Sequence, residues 1–540
     1  MLRQDVGIEP KCRTHGLRYP KNKHRINQGS VASFLLHLEN VSELSSRAET
    51  ELSMLKADLI ITYAILQMKP VKLGFVPLHR VPFDERWGIE LKKRVVDSLS
   101  SVEGLKLVYP DDQLIEGGLV KDDADAQKVI ELFKKESVQG VVIGTVTFGE
   151  ELAGASIAEA FKGYPLAIFG TKEPEQLPGG FRRSDSFCGT LSLASALRRR
   201  KIPFVYLGLF FPEEDAFRRS VETFARATSA VSAFRGARIG LLGPKPSNFE
   251  TVTINEAKMA ELFHQRVINV TLLEVVETAK RLKDDDPDVL EAMKAFKDID
   301  TSSVPKPSLV KIAKLETVFR RLVKEKGFDG LAVRCWNELE RYYGVVPCFA
   351  MGRLTDSGIM TACESDVYGT LSMMLQYFAG LGTTPPHFVD ITIAHPQDPN
   401  VFLAWHCGNA PPSLACENCP LKIDYHSILY GQLGKENSFG TLDVKLKPGV
   451  VTITRLNEYD GEFKLLITKG EIVDMPGEFK GSWSWVPVSD LDKLYRTLIE
   501  EGFVHHYSVI HGDYVDALKM ACDFLGIKAV VIRCSIPSTL

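Results

Sequence analysis

The sequence predicts an α/β protein: two Rossmann-like parallel-sheet α/β units, then a C-terminal part with an antiparallel sheet or small barrel. Three observations predict it. In the first half, strands that are apolar throughout alternate with amphipathic helices, the pattern of parallel sheets covered on both faces. The alternation restarts at "ARIGLLGP", which begins at Ala237. From Gly440 to Gly477, short alternating strands are broken by Pro-Gly, Tyr-Asp-Gly and Lys-Gly turns, as in an antiparallel sheet or barrel.

Residues 1–67 stand apart from this pattern. Met1 to Arg25 carries seven Lys/Arg against two acids and no periodic apolar residues. It has no compact apolar core followed by a small-residue cleavage site, so it is not read as a signal peptide. "ADLIITYAILQM" is about 12 residues long, a short packed element rather than a membrane span. The compact protein is expected to begin near Met68, with 1–67 an N-terminal extension, flexible or an over-long start.

The first α/β domain is expected over 68–235. Its strands are "VKLGFVPL", "LKLVYP", "GVVIGTVTF", "PLAIFG" and "PFVYLGL", separated by helices such as "ERWGIELKKRVVDSLSSV" and "DADAQKVIELFKKES". No G-x-G-x-x-G follows the first strand, so no dinucleotide site is expected. The second domain, 236–382, holds the solvated break "KDDDPD", a helix flanked by Pro and Gly, "VPKPSLVKIAKLETVFRRLVKEKG", and the strand "FDGLAVRCWNEL". "GLLGPKPSN" lacks the Gly-Lys-Ser/Thr ending of a phosphate loop and reads as a strand-to-loop turn. The C-terminal domain, 383–540, closes with the helix "GDYVDALKMACDFLG" and the strand "KAVVIRC".

Composition excludes several classes. The 540 residues are 25% charged and 45% hydrophobic, ordinary for a globular protein, with a net charge of -4. That charge gives no case for binding nucleic acid or an anionic membrane surface. No apolar run of about 18 residues occurs, so no transmembrane helix is expected. Ten cysteines spread over this length are too sparse for a disulfide scaffold and fit a reducing, cytoplasmic location.

Four ionisable residues lie beside apolar strands or Gly-rich turns: Glu364 in "TACESDVYGTL", Asp390 in "HFVDITIAH", His406 in "FLAWHCGNAP" and His506 in "FVHHYSVIHG". Two carboxylates with one or two imidazoles suit a divalent cation, Mn²⁺ or Mg²⁺ by the oxygen donors and Co²⁺, Zn²⁺ or Ni²⁺ by the nitrogens. Glu364 also fits a helix N-terminal acid, and His406 a satisfied core histidine. Asp390 sits inside an apolar strand and must find a partner. His505 and His506, neighbours on a strand, should face opposite sides, so that only one enters a given site. Cys416 and Cys419 form one Cys-x-x-Cys knuckle without a second, so a structural zinc competes there with plain loop-borne thiols.

These segments resemble the L-fucose isomerase and L-arabinose isomerase superfamily over roughly residues 70–540. "ACESDVYGTL" is similar to the segment bearing the first metal-binding acid, and "HFVDITI" to that bearing the second. "AWHCGNAPPSL" and "HHYSVIH" are similar to the two histidine segments. The carboxylate pair is fucose-like and the histidine spacing arabinose-like, which marks a divergent member. The resemblance implies two α/β domains and a C-terminal domain containing a small antiparallel β-barrel. It implies an aldose–ketose isomerase acting through a cis-enediol, with Glu364, Asp390, His406 and His506 on Mn²⁺ or another divalent cation such as Mg²⁺ or Co²⁺. Glu364 and Asp390 would form the base/acid pair. A small-molecule sugar is the expected partner, and a homo-oligomer, commonly a hexamer in this family, is implied.

Trp405 and Asn409 flank His406 and are candidates to line the sugar pocket; Asp366 either orients the site or is a solvated turn acid. Arg86 and Trp87 follow the first strand, where sheet-end loops often bind ligands, but that argument from fold alone keeps them outside the assigned site. Three rival readings stand beside this one: an isomerase of another, acidic or sulfonated, hexose; a non-catalytic sugar-binding relative; and a zinc-stabilised interaction protein.

Overall fold

A computed structural model describes residues 70–173 and 179–532; the expected extension, residues 1–67, lies outside them. The first sheet contains β1 (Val71–Leu78), β2 (Leu105–Val108), β3 (Gly140–Thr145), β4 (Leu166–Thr171) and β5 (Val205–Phe210). Its order is β2-β1-β3-β4-β5 and every pairing is parallel. All five strands coincide with runs expected from the sequence. The helix Glu85–Leu99 begins right after β1, so Arg86 and Trp87 are helical, and Trp87 is buried in the core.

The second sheet repeats the design with four parallel strands in the order β7-β6-β8-β9: β6 (Arg238–Leu242), β7 (Arg266–Val270), β8 (Gly330–Val333) and β9 (Met360–Cys363). β6 ends in a turn at Gly243, and the next α-helix starts only at Glu256, so no helix N-terminus faces this loop as a phosphate loop requires. The charged break at 283–288 caps a helix: Asp286 accepts from Asp288 N, and Arg321 pairs with both acids.

The last third folds into a nine-stranded mixed sheet, ordered β12-β13-β16-β11-β10-β17-β14-β15-β18. Its strands are β10 (His387–Ala394), β11 (Val401–His406), β12 (Lys422–Tyr425), β13 (Phe439–Lys445), β14 (Gly449–Tyr459), β15 (Glu462–Ile472), β16 (Ser482–Pro487), β17 (His506–His511) and β18 (Lys528–Ile532). Most pairings are antiparallel. The parallel ones are β13 with β16 and β15 with β18; the latter is reached through the helix Val515–Leu525, the kind of crossover a parallel pair needs. β14 and β15 form a hairpin over Asp460 and Gly461, whose φ values of 54° and 84° suit a two-residue type I′ turn.

One buried helix joins the sheets. Val367–Ala379 is apolar nearly all round, and its few polar side chains are used to bind neighbours. Thr370 donates to Leu331 O of β8 at 2.7 Å, and Ser372 accepts from Leu456 N of β14 at 2.9 Å. Gln376 donates to Thr452 O and Ser508 O, at 2.9 and 3.1 Å, and accepts from Ser508 Oγ at 2.6 Å. The second and third sheets are thereby locked in one register, and the residues just before this helix meet the middle of the mixed sheet. Among the described residues, no helix is long and apolar enough to cross a membrane.

Candidate active site

The site begins at the carboxyl end of β9, where ligands of open parallel sheets bind. Glu364 and Ser365 both adopt left-handed backbone conformations, with φ 57° and 63°. Non-glycine residues pay for that conformation, and such strain concentrates at functional positions. It is held by Ser365 N donating to Val333 O at 3.1 Å and by Ser365 Oγ donating to Gly243 O and Pro244 O. Glu364 is therefore not a helix-end acid. The cap is Asp366, which accepts from Gly369 N at 2.8 Å.

Asp366 is fully buried, which removes the solvated-turn reading. Its Oδ2 accepts from Arg455 and, at 2.8 Å, from His506 Nδ1. Burial opposes its ionisation, but the Arg455 charge and the His506 bond outweigh burial and hold the carboxyl well below the usual range. Since the carboxylate only accepts, His506 must carry a proton on Nδ1, and its Nε2 points the other way. That Nε2 lies 3.3 Å from Glu364 Oε2 and 3.8 Å from Asp390 Oδ1. Burial disfavours the charged ring, yet the surrounding carboxylates win and raise His506 to about 9.

β10 lies between β11 and β17, and Asp390 is in register with both Trp405 and His506. The two carboxylates differ in proton affinity. Burial pushes Asp390 up to about 7, against the pull of His506, whereas for Glu364 the His506 contact overcomes burial and lowers it.

His406 is completely buried, neither ring nitrogen has a hydrogen-bond partner, and burial pushes it down to about 3. Its ring centroid is 6.4 Å from that of His506, so it borders the group without joining its closest contacts. Trp405 packs beside Trp483 and Trp485, and its indole donates to Lys480 O at 2.7 Å. Asn409 is buried with neither end of its amide hydrogen-bonded. Its loop lies flat on β13 because Gly408 takes φ 120°; a Cβ there would meet Leu442 N at 2.6 Å.

The structure corrects one expectation. His505 and His506 do not face opposite ways: their rings are 4.3 Å apart, and Glu364, His505 and His506 each bring one donor atom to within 4.8 Å of the others. The reason is that β17 starts at His506, so strand alternation does not apply to His505. Cys416 and Cys419 bring their sulfurs together across a turn closed by Cys419 N donating to Cys416 O.

Sequence reasoning missed Arg455, although a cation inside the apolar strand "VTITRLNEY" carries the signal that was used for Asp390. It also missed Phe249, whose ring lies 5.8 and 5.9 Å from those of His505 and His506. Glu340, in the helix Glu338–Tyr342, was missed too. Neither of its carboxyl oxygens is hydrogen-bonded, and burial pushes it up to about 8. A carboxyl raised on folding contributes stability that is whole below its unfolded pKa and is lost as pH rises through the folded one. Glu340→Gln should therefore match the wild type at about pH 4 and exceed it by roughly 2–4 kcal/mol at about pH 8. Urea unfolding at both pH values measures this; parallel curves would mean that the carboxyl is paired.

Two family models match the chain. One, described as fucose/sulfoquinovose isomerase, N-terminal domain, covers residues 74–235; the other, L-fucose isomerase, C-terminal domain, covers 404–533. The second spans His406 and His506, while Glu364 and Asp390 fall between the two. A sulfoquinovose isomerase of Priestia aryabhattai is 26% identical over 459 residues, 84% of this chain and 97% of its own length. One from Clostridium sp. (strain MSTE9) is 27% identical over 400 residues, 73% and 86% of the two chains. One from Alkalicoccus urumqiensis is 26% identical over 382 residues, 70% and 83%.

Proposed function

This chain belongs to the fucose isomerase-like superfamily, and from that membership we propose that it interconverts an aldose and its ketose, with a sulfonated hexose of the sulfoquinovose type as substrate. One observation carries the catalytic part: Glu364 from the second sheet meets Asp390 and His506 from the third, with His506 oriented by Asp366. The sulfonated substrate rests on the relatives, three of which bear that activity in their names.

The donor set fits a divalent cation. Asp390 Oδ1 and both nitrogens of His406 are buried without hydrogen-bond partners, and Glu364 supplies a lowered-pKa carboxylate 3.3 Å from His506 Nε2. Glu364, Asp390, His506 and His406 would hold Mn²⁺, Mg²⁺ or Co²⁺. When bound, that ion supplies the electrophile that polarises the sugar carbonyl. The Asp366 carboxylate fixes the His506 ring with Nε2 toward the site, where a bound ion would take the place of the Nε2 proton.

Isomerisation moves a hydrogen between C1 and C2, most simply through a cis-enediol. Glu364 and Asp390 act as the pair that removes the proton from one carbon and returns one to the other. Asn409 and Trp405 are assigned to the sugar pocket wall. A homo-oligomer in the cytoplasm completes the proposal.

A coupled ketose assay over sulfoquinovose, L-fucose and L-arabinose tests it. Chelator-treated protein should be inactive, Mn²⁺ should restore turnover, and sulfoquinovose should be converted fastest. Turnover of neutral sugars alone would overturn the substrate, and activity unaffected by chelation would overturn the metal.

A further inference from the structure

Behind Glu364 lies a second donor set that the isomerisation does not use. Cys363 is the last residue of β9, and Cys335 lies two residues beyond β8; the register Val333↔Cys363 places them at adjacent carboxyl ends. Both are buried, with Sγ atoms 2.9 Å apart. One sulfur from each and one carboxylate oxygen of Glu364 all lie within 4.8 Å of one another. Two sulfurs with one carboxylate form a soft donor set, which selects thiophilic ions over the hard Mn²⁺ or Mg²⁺.

We propose that Cys335, Cys363 and Glu364 form a soft-metal site that takes Zn²⁺ or Cd²⁺ and withdraws Glu364 from the catalytic group. Binding forms two metal–sulfur bonds and one metal–oxygen bond. The two thiols release their protons to solvent, and no electron is transferred. Because Glu364 belongs to both donor sets, a soft ion and a hard ion compete for it. The effect on turnover rests on the isomerase reading; the binding does not.

The test is a Cd²⁺ titration of the chelator-treated full chain in a phosphine reductant, followed by the ultraviolet thiolate-to-cadmium band. All proteins carry Cys416→Ser, so that this pair gives no paired-thiolate signal. The parent should show a saturable band. Cys335→Ser and Cys363→Ser should each bind Cd²⁺ at least about tenfold more weakly. Cys335→Ala, which removes the sulfur without placing a hydroxyl in the core, should behave alike, and circular dichroism establishes that each variant is folded. Excess Mn²⁺ should move the parent titration to higher Cd²⁺. Folded serine and alanine variants that titrate like the parent would overturn the site. A titration indifferent to Mn²⁺ would overturn the sharing of Glu364. A sulfur-dependent band in a protein that isomerises no sugar would sink the functional reading and leave this one standing. In the active enzyme, Zn²⁺ should inhibit the parent at concentrations that leave Cys335→Ser unaffected.

Discussion

Glu364→Gln is expected to abolish isomerisation, lowering kcat/KM by at least about 10³-fold, while the protein stays folded. Glutamine keeps the size of the side chain but removes the charge that faces His506 Nε2 at 3.3 Å. It also removes one member of the proposed proton-transfer pair. Stability should hold or fall modestly, because the lowered pKa of Glu364 means that its charge, answered by His506, is favoured in the folded protein. The measurement is the coupled ketose assay with Mn²⁺ beside a thermal melt. Near-normal turnover in the folded variant would remove Glu364 from the mechanism.

Asp366→Asn should damage both stability and activity. Asp366 and Arg455 are 0% and 1% exposed at their side chains, so the substitution leaves a buried guanidinium without its counter-charge. Breaking one half of such a pair costs about 3–5 kcal/mol. The folded-state pKa of Asp366 is depressed, so its contribution is whole above the unfolded carboxylate value of about 4 and is lost as pH falls through the lower folded one. Wild-type stability should therefore fall in acid, and the variant should show a smaller loss there. Activity should drop about 10–100-fold, because His506 loses the acceptor that fixes its ring. Urea unfolding over a pH series separates the two effects from the assay. An unchanged unfolding midpoint at neutral pH would mean that Arg455 finds another partner and that this pair does not hold the site.

What could be read in the sequence had local causes. Runs such as "GVVIGTVTF" announce buried parallel strands, since only a sheet covered on both faces accepts apolar residues at every position. The "YDG" turn announces the β14–β15 hairpin through its demand for positive φ. Asp390 was detectable because an acid in an apolar strand has to be answered by a partner. Glu364, His406 and His506 are proposed from their apolar surroundings and by resemblance.

The sequence by itself determined the order of the strands and the two parallel sheets, because periodicity and composition act over a few neighbouring residues; the candidate site came from its residues together with the resemblance. Only the tertiary structure brought the acids to their partners. Asp366 meets Arg455 across 89 residues of chain and His506 across 140, and no local pattern spans such distances. The same holds for His505 turning toward Glu364, for the thiol pair behind it, and for the unequal proton affinities of Glu364 and Asp390. Those properties arise from burial and from charges on other strands, which exist only once the chain has folded.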